Sequence, residues 1–143
     1  MKYYIDTCVW LDHLENRSGP GGRPLGSHAT RLILEIVRKK DTIIFSDLNQ
    51  NELKNKISAQ DIDSAIEILK AMQALETVIV KQESYKEGQK LAKERNVPLG
   101  DAVHALIAKE NNATLITQDR DFERLRDITK IMKPEDVIPN RAL

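Results

Sequence analysis

Four acids, far apart in the chain, stand where they could do chemistry together. Asp6 follows the apolar run Tyr3-Tyr4-Ile5, and Asp119 closes Thr114-Leu115-Ile116-Thr117-Gln118. Glu52 lies one to two turns beyond Ile43-Ile44-Phe45, and Asp101 follows Pro98-Leu99-Gly100 at the head of an apolar stretch. Carboxylates gathered at one point repel, and without compensation some take up protons. A hard divalent cation is the natural compensation, because Mg²⁺ and Mn²⁺ prefer oxygen ligands and keep several waters. Such a site binds phosphate oxygens and activates water for in-line attack on phosphorus. Each acid also has a plainer reading. Asp101 suits a helix N-cap or the positive end of a helix dipole. Asp119 suits a turn or a helix start in Gln118-Asp119-Arg120-Asp121. Glu52 alone is one solvated helix acid among many. Asp6 is the hardest to dismiss, since a charge directly after three strand residues falls near the centre of a fold, where an unpaired carboxylate is costly.

The elements that must position these acids are legible as alternating short apolar runs and amphipathic stretches. Residues 3–5, 43–45, 77–80, 114–117 and 129–132 are β-branched or aromatic and short, the signature of strands. Segment 29–40 places Leu32, Ile33, Ile36 and Val37 on one helical face, and 61–74 does the same with Ile62, Ala65, Ile66, Leu69 and Met72. Segment 101–110 is apolar nearly all round, which predicts a buried helix. Strands separated by helices predict an α/β domain with a mainly parallel sheet. In such a sheet the strand carboxyl ends share one edge, where ligands bind at the point of strand-order reversal. Asp6 and Asp119 then face the same edge, and Glu52 joins them because its helix starts where the second strand stops. Two helical segments separate the third and fourth strands. If Asp101 is at the site, its helix descends from that edge, so segment 83–95 must be the one that crosses.

Composition bounds the rest. The chain has 143 residues, fitting one domain over 1–143, with 41% hydrophobic and 31% charged residues. Lys+Arg and Asp+Glu both number 22, so the net charge is zero. That excludes coating of nucleic acid by bulk charge, and it excludes an acidic disordered chain. No apolar run reaches a bilayer-spanning length, Asp6 interrupts any signal-peptide core, and a single Cys8 implies a reducing, cytoplasmic setting. Cys8 and Trp10 read as core residues, with no base nearby in sequence to activate the thiol. One loop stands out: residues 16–27 hold four of the 6 glycines and two of the 5 prolines. Around it Arg17, Arg23, His28 and Arg31 are candidate phosphate contacts, with Arg120 beside the acids, although a solvated loop would look the same. Arg38, Lys39 and Lys40 suit a helix C-terminus at the opposite edge.

At these residues the chain resembles the PIN-domain ribonucleases, and among them the VapC-like toxins of prokaryotic toxin–antitoxin pairs. The resemblance runs through Ile5-Asp6-Thr7-Cys8-Val9-Trp10-Leu11, Asn49-Gln50-Asn51-Glu52-Leu53, Leu99-Gly100-Asp101-Ala102-Val103-His104-Ala105-Leu106-Ile107-Ala108 and Leu115-Ile116-Thr117-Gln118-Asp119-Arg120-Asp121-Phe122, and so covers nearly the whole chain. It implies a three-layer α/β/α fold with a five-stranded parallel sheet and an Mg²⁺- or Mn²⁺-dependent endoribonuclease. Its metal-binding acids map to Asp6, Glu52, Asp101 and Asp119. Asp121 is then a supporting acid, and Thr7 and Thr117 orient the ligands. An RNA substrate, an antitoxin partner and a homodimer follow from the same resemblance. The faces of 47–57 and 61–74 could form the dimer interface or be core. The glycine-rich loop 16–27 departs from a typical toxin. His104, one turn past Asp101, reads as a packing residue or as part of the site rim.

Single positions weigh against other sites. A phosphatase of the haloacid dehalogenase type needs a second Asp two residues after Asp6, where Cys8 stands. A phospho-acceptor domain needs an Asp closing the third strand, and Val80 is followed by Lys81. The rival from another class is a catalytically silent PIN-like module that binds RNA or protein, and the presence of all four acids weighs against it.

Overall fold

β-Branched and aromatic residues build five short strands: β1 (Lys2–Ile5), β2 (Thr42–Ser46), β3 (Leu75–Val78), β4 (Thr114–Ile116) and β5 (Ile131–Met132). In the computed structural model, which describes residues 1–139, they form one parallel sheet in the order β3-β2-β1-β4-β5. The connections carry α1 (Thr7–Glu15), α2 (Leu25–Arg38), α3 (Asp47–Leu53), α4 (Ala59–Ala71), α5 (Gln82–Arg95) and α6 (Leu99–Glu110), and α7 (Pro134–Val137) follows the last strand. Short 3₁₀ turns occupy Pro20–Gly22 and Arg120–Leu125. The last four residues of the expected domain, 140–143, lie outside the described residues. Among the described residues no helix is long and apolar enough to cross a membrane.

Alternation along the strands splits the core into two layers. Tyr3, Ile5, Ile43, Phe45 and Ile116 face α1, α2 and α4, while Tyr4, Ile44 and Leu115 face α6 and the turn Arg120–Leu125. The result is the expected three-layer α/β/α arrangement. The chain leaves β1 toward β2 and β3 on one side and returns to β4 and β5 on the other. Strand order therefore reverses between β1 and β4, and the residues that follow those two strands are Asp6 and the segment 117–119.

Local boundaries differ from the sequence expectation for identifiable reasons. The third strand covers 75–78, not 77–80, because Ala74 and Leu75 carry the pairing with Ile43 and the chain leaves the sheet at Val80, whose N–H donates to Asp47 Oδ1 at 2.9 Å. The fifth strand is shorter than expected, since Thr129 Oγ1 already bonds the Ala113 carbonyl at 3.1 Å. The helix expected over 29–40 starts at Leu25, so Leu25, Gly26 and Ser27 belong to α2 and not to the loop. Helix α5 answers the crossing problem by running antiparallel to α6: Ser84 near its start bonds Glu110 at the end of α6 (2.6 Å), and Gly88 lies against Val103. The apolar positions Ile62, Ile66 and Leu69 of α4 and Leu53 of α3 are core; Ile68 and Met72 are exposed.

Helices α1 and α2 cross at Gly26. A Cβ there would stand 2.6 Å from Asn16 Cα and 2.7 Å from its carbonyl carbon. Both are backbone atoms and cannot swing aside. Gly26→Ala is therefore expected to destabilise the fold by about 1–3 kcal/mol in urea denaturation, the usual cost of overpacking. A loss of only a few tenths would show that the crossing is loose.

Candidate metal centre

The carboxyl edge brings Asp6, Glu52, Asp101 and Asp119 close enough to act on one another, each by a different local device. Asp6 occupies the N-cap position of α1 but does not cap it with its side chain. It is buried, 5% exposed, and Oδ2 accepts from Thr117 Oγ1 at 2.9 Å. The same Thr117 Oγ1 accepts from the Asp119 N–H at 3.0 Å, so one hydroxyl ties the end of β1 to the turn after β4. Asp119 Oδ1 accepts from the Asp121 N–H at 2.9 Å and caps the turn Arg120–Leu125. That turn brings Asp121 back beside Asp119. Asp101 lies in the first turn of α6, where position 98, not Asp101, is the N-cap. Glu52, on α3, accepts at Oε1 from Thr7 Oγ1 (2.6 Å) and from His104 Nε2 (2.7 Å).

Three carboxylates, Asp101, Asp119 and Asp121, each offer an oxygen within 4.8 Å of the others. Asp6 and Glu52 stand beside this closest group rather than in it. Asp121, expected as a supporting acid, is one of these three. Burial pushes the Asp101 carboxyl up to about 7, and the charges of Asp6, Asp119 and Asp121 add to it against an opposing contribution from His104. Burial also raises Asp6, opposed by His104 and Thr117 and assisted by Glu52 and Asp119. Burial pushes Glu52 up too, but the bond and field of His104 and the bond from Thr7 outweigh it and hold the group below its ordinary value. Asp101 Oδ2 is buried and has no hydrogen-bond partner among the described residues. An orphaned buried carboxylate oxygen among other carboxylates is what a hard oxygen-seeking cation would satisfy, and the donor set contains no soft ligand.

The PIN domain family matches residues 3–128. The chain belongs to the PIN domain family. Comparison with curated protein sequences gives no match. Among solved structures, the PIN chain is similar to one in the crystal structure of VapBC2 from Rickettsia felis bound to a DNA fragment from their promoter, with a TM-score of 0.64 at 21% identity over 93% of this chain and 98% of that one. It is similar to a chain of VapBC-1 from nontypeable Haemophilus influenzae, with a TM-score of 0.60 at 21% identity over 94% and 98%. A toxin-antitoxin complex from Klebsiella pneumoniae gives 0.60 at 17% identity over 92% and 97%. At these identities the likeness establishes the shared fold.

The other selected residues of this PIN domain are placed unevenly. Thr7 and Thr117 both hold acids, as just described. Arg23 reaches the acid-bearing edge, bonding Glu135 at 2.9 Å and Gln118 at 3.4 Å. Arg17 pairs with Glu15 at 3.0 Å. Arg31 and Arg120 are exposed, and only Arg120 adjoins Asp119 in the chain. Beside it a hollow of about 170 Å³ is lined by Thr117, Asp119, Arg120, Phe122 and Lys133 among others. Cys8 is exposed at the rim and not part of the core; partial desolvation and the nearby charges of Asp6, Asp119 and Asp12 push its thiol up to about 11, so it stays protonated. Trp10 is core.

Tyr4, Ser46 and Asn49 carry no site signal in their own segments, and His104 reads from the sequence as a packing or rim residue. Asn49 is fully buried and uses its whole amide, donating to the Ile5 carbonyl (3.3 Å) and Thr7 Oγ1 (3.1 Å) and accepting from Ser46 N–H (3.0 Å). Tyr4 lies on β1 two residues before Asp6, which directly follows the strand, and His104 lies three residues after Asp101 on α6. Those spacings put them on the same faces as the acids, which is the signal that could have found them.

Proposed function

We propose that the protein is a divalent-metal-dependent endoribonuclease, the toxin of a toxin–antitoxin pair. The observation that carries the reading is the orphaned, buried Asp101 Oδ2, on a residue whose carboxylate groups with those of Asp119 and Asp121 near the buried Asp6 at the point of strand-order reversal. Membership of the PIN domain family supports it. So does structural likeness to chains whose assemblies are described as VapBC or as a toxin-antitoxin complex, which favours an antitoxin partner.

Asp101, Asp119 and Asp121 would hold Mg²⁺ or Mn²⁺, with Asp6 and Glu52 completing the shell. When bound, the cation supplies charge neutralisation on the phosphate oxygens and lowers the pKa of a coordinated water. The chain's own residues do the rest. Thr117 commits Asp6 Oδ2 and leaves Oδ1 free of hydrogen bonds among the described residues. The Asp121 N–H holds Asp119 Oδ1 and leaves Oδ2. Arg120, with no ion pair among the described residues, stands ready for the RNA backbone, with Arg31 as a more distant contact. Arg17 and Arg23 reach phosphate only by releasing Glu15 and Glu135.

The test is cleavage. Purified protein with Mn²⁺ is expected to cut structured RNA, to stop in EDTA, and to lose roughly 10²–10³-fold or more in rate on Asp6→Asn, the scale of removing one preorganised electrostatic group. Circular dichroism should show the variant folded. Cleavage that persists in EDTA and in Asp6→Asn would overturn the metal mechanism. Metal-independent RNA binding without cleavage would favour the silent module.

A further inference from the structure

Glu52 is held by one oxygen only. Oε1 takes both donors, Thr7 Oγ1 at 2.6 Å and His104 Nε2 at 2.7 Å. Oε2 has no hydrogen-bond partner among the described residues, and it lies on the side of Gly100, 3.4 Å from where a Cβ at that position would stand. A glutamate on a short helix has three side-chain torsions to settle. Two donors converging on the same oxygen settle them and leave the other oxygen a single direction.

The donors are fixed in turn. The His104 ring is buried, and its Nδ1 lies 2.6 Å from Tyr4 Oη, itself 2.8 Å from Ser46 Oγ. Ser46 Oγ accepts from the Asn49 N–H at 3.0 Å, and Asn49 Nδ2 donates to Thr7 Oγ1 at 3.1 Å. The bonds close a circuit from Glu52 through His104, Tyr4, Ser46, Asn49 and Thr7 back to Glu52, drawing on β1, α1, β2, α3 and α6. A carboxylate only accepts, so Nε2 presents a ring proton to Glu52, and the other ring nitrogen, Nδ1, meets the Tyr4 hydroxyl, which can either donate or accept there. A buried imidazole needed only for packing has no requirement that one end meet a half-buried acid. Partners of this kind orient metal ligands, and their loss costs affinity.

We propose that His104 is a positioning residue: together with Thr7 it pins Glu52 Oε1, so that Oε2 alone addresses the acidic cluster and the strength of cation binding depends on that pin. The inference rests on the metal-site reading above and goes beyond it by adding a residue that touches neither cation nor RNA.

Two variants of similar size separate this role from packing. His104→Gln places an amide nitrogen near the position of Nε2, keeping the donor to Glu52 and losing the contact to Tyr4. His104→Asn places its amide near Nδ1, keeping the contact to Tyr4 and losing the donor to Glu52. Mn²⁺ is titrated calorimetrically into each metal-free protein, and circular dichroism melts confirm folding. His104→Asn is expected to weaken Mn²⁺ binding about tenfold or more, while His104→Gln stays close to wild type. In RNA cleavage, His104→Asn should lower kcat at limiting Mn²⁺ with KM for RNA unchanged, and excess Mn²⁺ should restore it. Thr7→Val removes the other donor to the same oxygen and must weaken Mn²⁺ in the same sense, which keeps the test decisive if His104→Asn does not fold. Wild-type binding with His104→Asn and His104→Gln indistinguishable overturns the positioning role alone. A wild-type chain that takes up no Mn²⁺ overturns the metal-site reading and this inference with it.

Discussion

Asp101→Asn is expected to make the metal-free protein more stable and the metal-loaded protein less so. In the folded chain the Asp101 carboxyl is pushed up to about 7 from an ordinary value of 3.8. Between those two values the native state binds a proton that the unfolded state has released. Stability falls with rising pH wherever the native state is the more protonated one. Asp101 therefore costs nothing below its unfolded value, costs progressively more through the window, and imposes its full penalty above about 7. Asparagine is neutral throughout. The thermal midpoint of Asp101→Asn should match wild type near the lower end of the window, exceed it increasingly as pH rises, and level off above about 7. Cation binding reverses the order. A ligand present at about 100 times its Kd stabilises by about 2.7 kcal/mol. In a domain of this size that is on the order of 10 °C. Wild type should gain it and Asp101→Asn should lose most of it. The gain in wild type should grow with pH up to about 7, because the cation must displace the Asp101 proton below that. Thermal melts across pH with and without Mn²⁺ measure all of this, and equal Mn²⁺ shifts in the two proteins would remove Asp101 from the site.

Trp10→Ala should cost about 3–5 kcal/mol in urea denaturation monitored by circular dichroism. Trp10 is fully buried between the sheet and the helices of one layer, with its ring edge-on to Phe45 at 5.4 Å between centroids and 86° between planes. Truncation loses the transfer energy, leaves a cavity, and breaks an aromatic pair worth about 0.5–1.5 kcal/mol. A domain of marginal stability, about 5–15 kcal/mol, then has little left. Trp10→Phe is the informative companion. The indole Nε1 is buried without a partner among the described residues, so removing that N–H relieves a cost while a ring remains against Phe45. Its loss should be far smaller than that of alanine. Similar losses for the two would mean that the aromatic pair contributes little.

What could be read from the sequence was set by short-range chemistry. The placement of Asp6 and Asp119 followed from two facts visible in the chain: each ends or closely follows a β-branched run, and parallel strands end at one edge. The buried character of α6 followed from its all-round apolar pattern. Boundaries shifted where tertiary bonds decided them. Val80 is β-branched yet leaves the sheet because Asp47 accepts its N–H. Leu25 and Gly26 look like loop residues, yet they are helical because α2 needs that turn to cross α1 at Asn16. Cys8 was misplaced because an apolar helix after a strand suggests burial at every position, whereas one side of α1 opens on the crevice. The circuit through His104, Tyr4, Ser46 and Asn49 was hidden for a different reason. Each of these residues is unremarkable in its own segment, and only the superposition of β1, β2, α3 and α6 closes the ring.

The crossing at Gly26 also fixes how the chain enters and leaves its glycine-rich excursion. The Gly26 N–H donates to the Arg17 carbonyl at 2.8 Å, so the stretch departs and returns through a single doorway. Within it, Gly19 N–H bonds the Arg23 carbonyl at 2.8 Å and Gly22 N–H bonds the Gly19 carbonyl at 3.0 Å, so the excursion carries its own scaffold. Because the doorway is shut by the two helices themselves, lengthening what lies beyond it adds only the slow logarithmic entropy of a longer ring. This appendage can therefore change in size and composition while the sheet, the crevice and the acids keep their coordinates, leaving the rim of the crevice free to diversify on an unaltered frame.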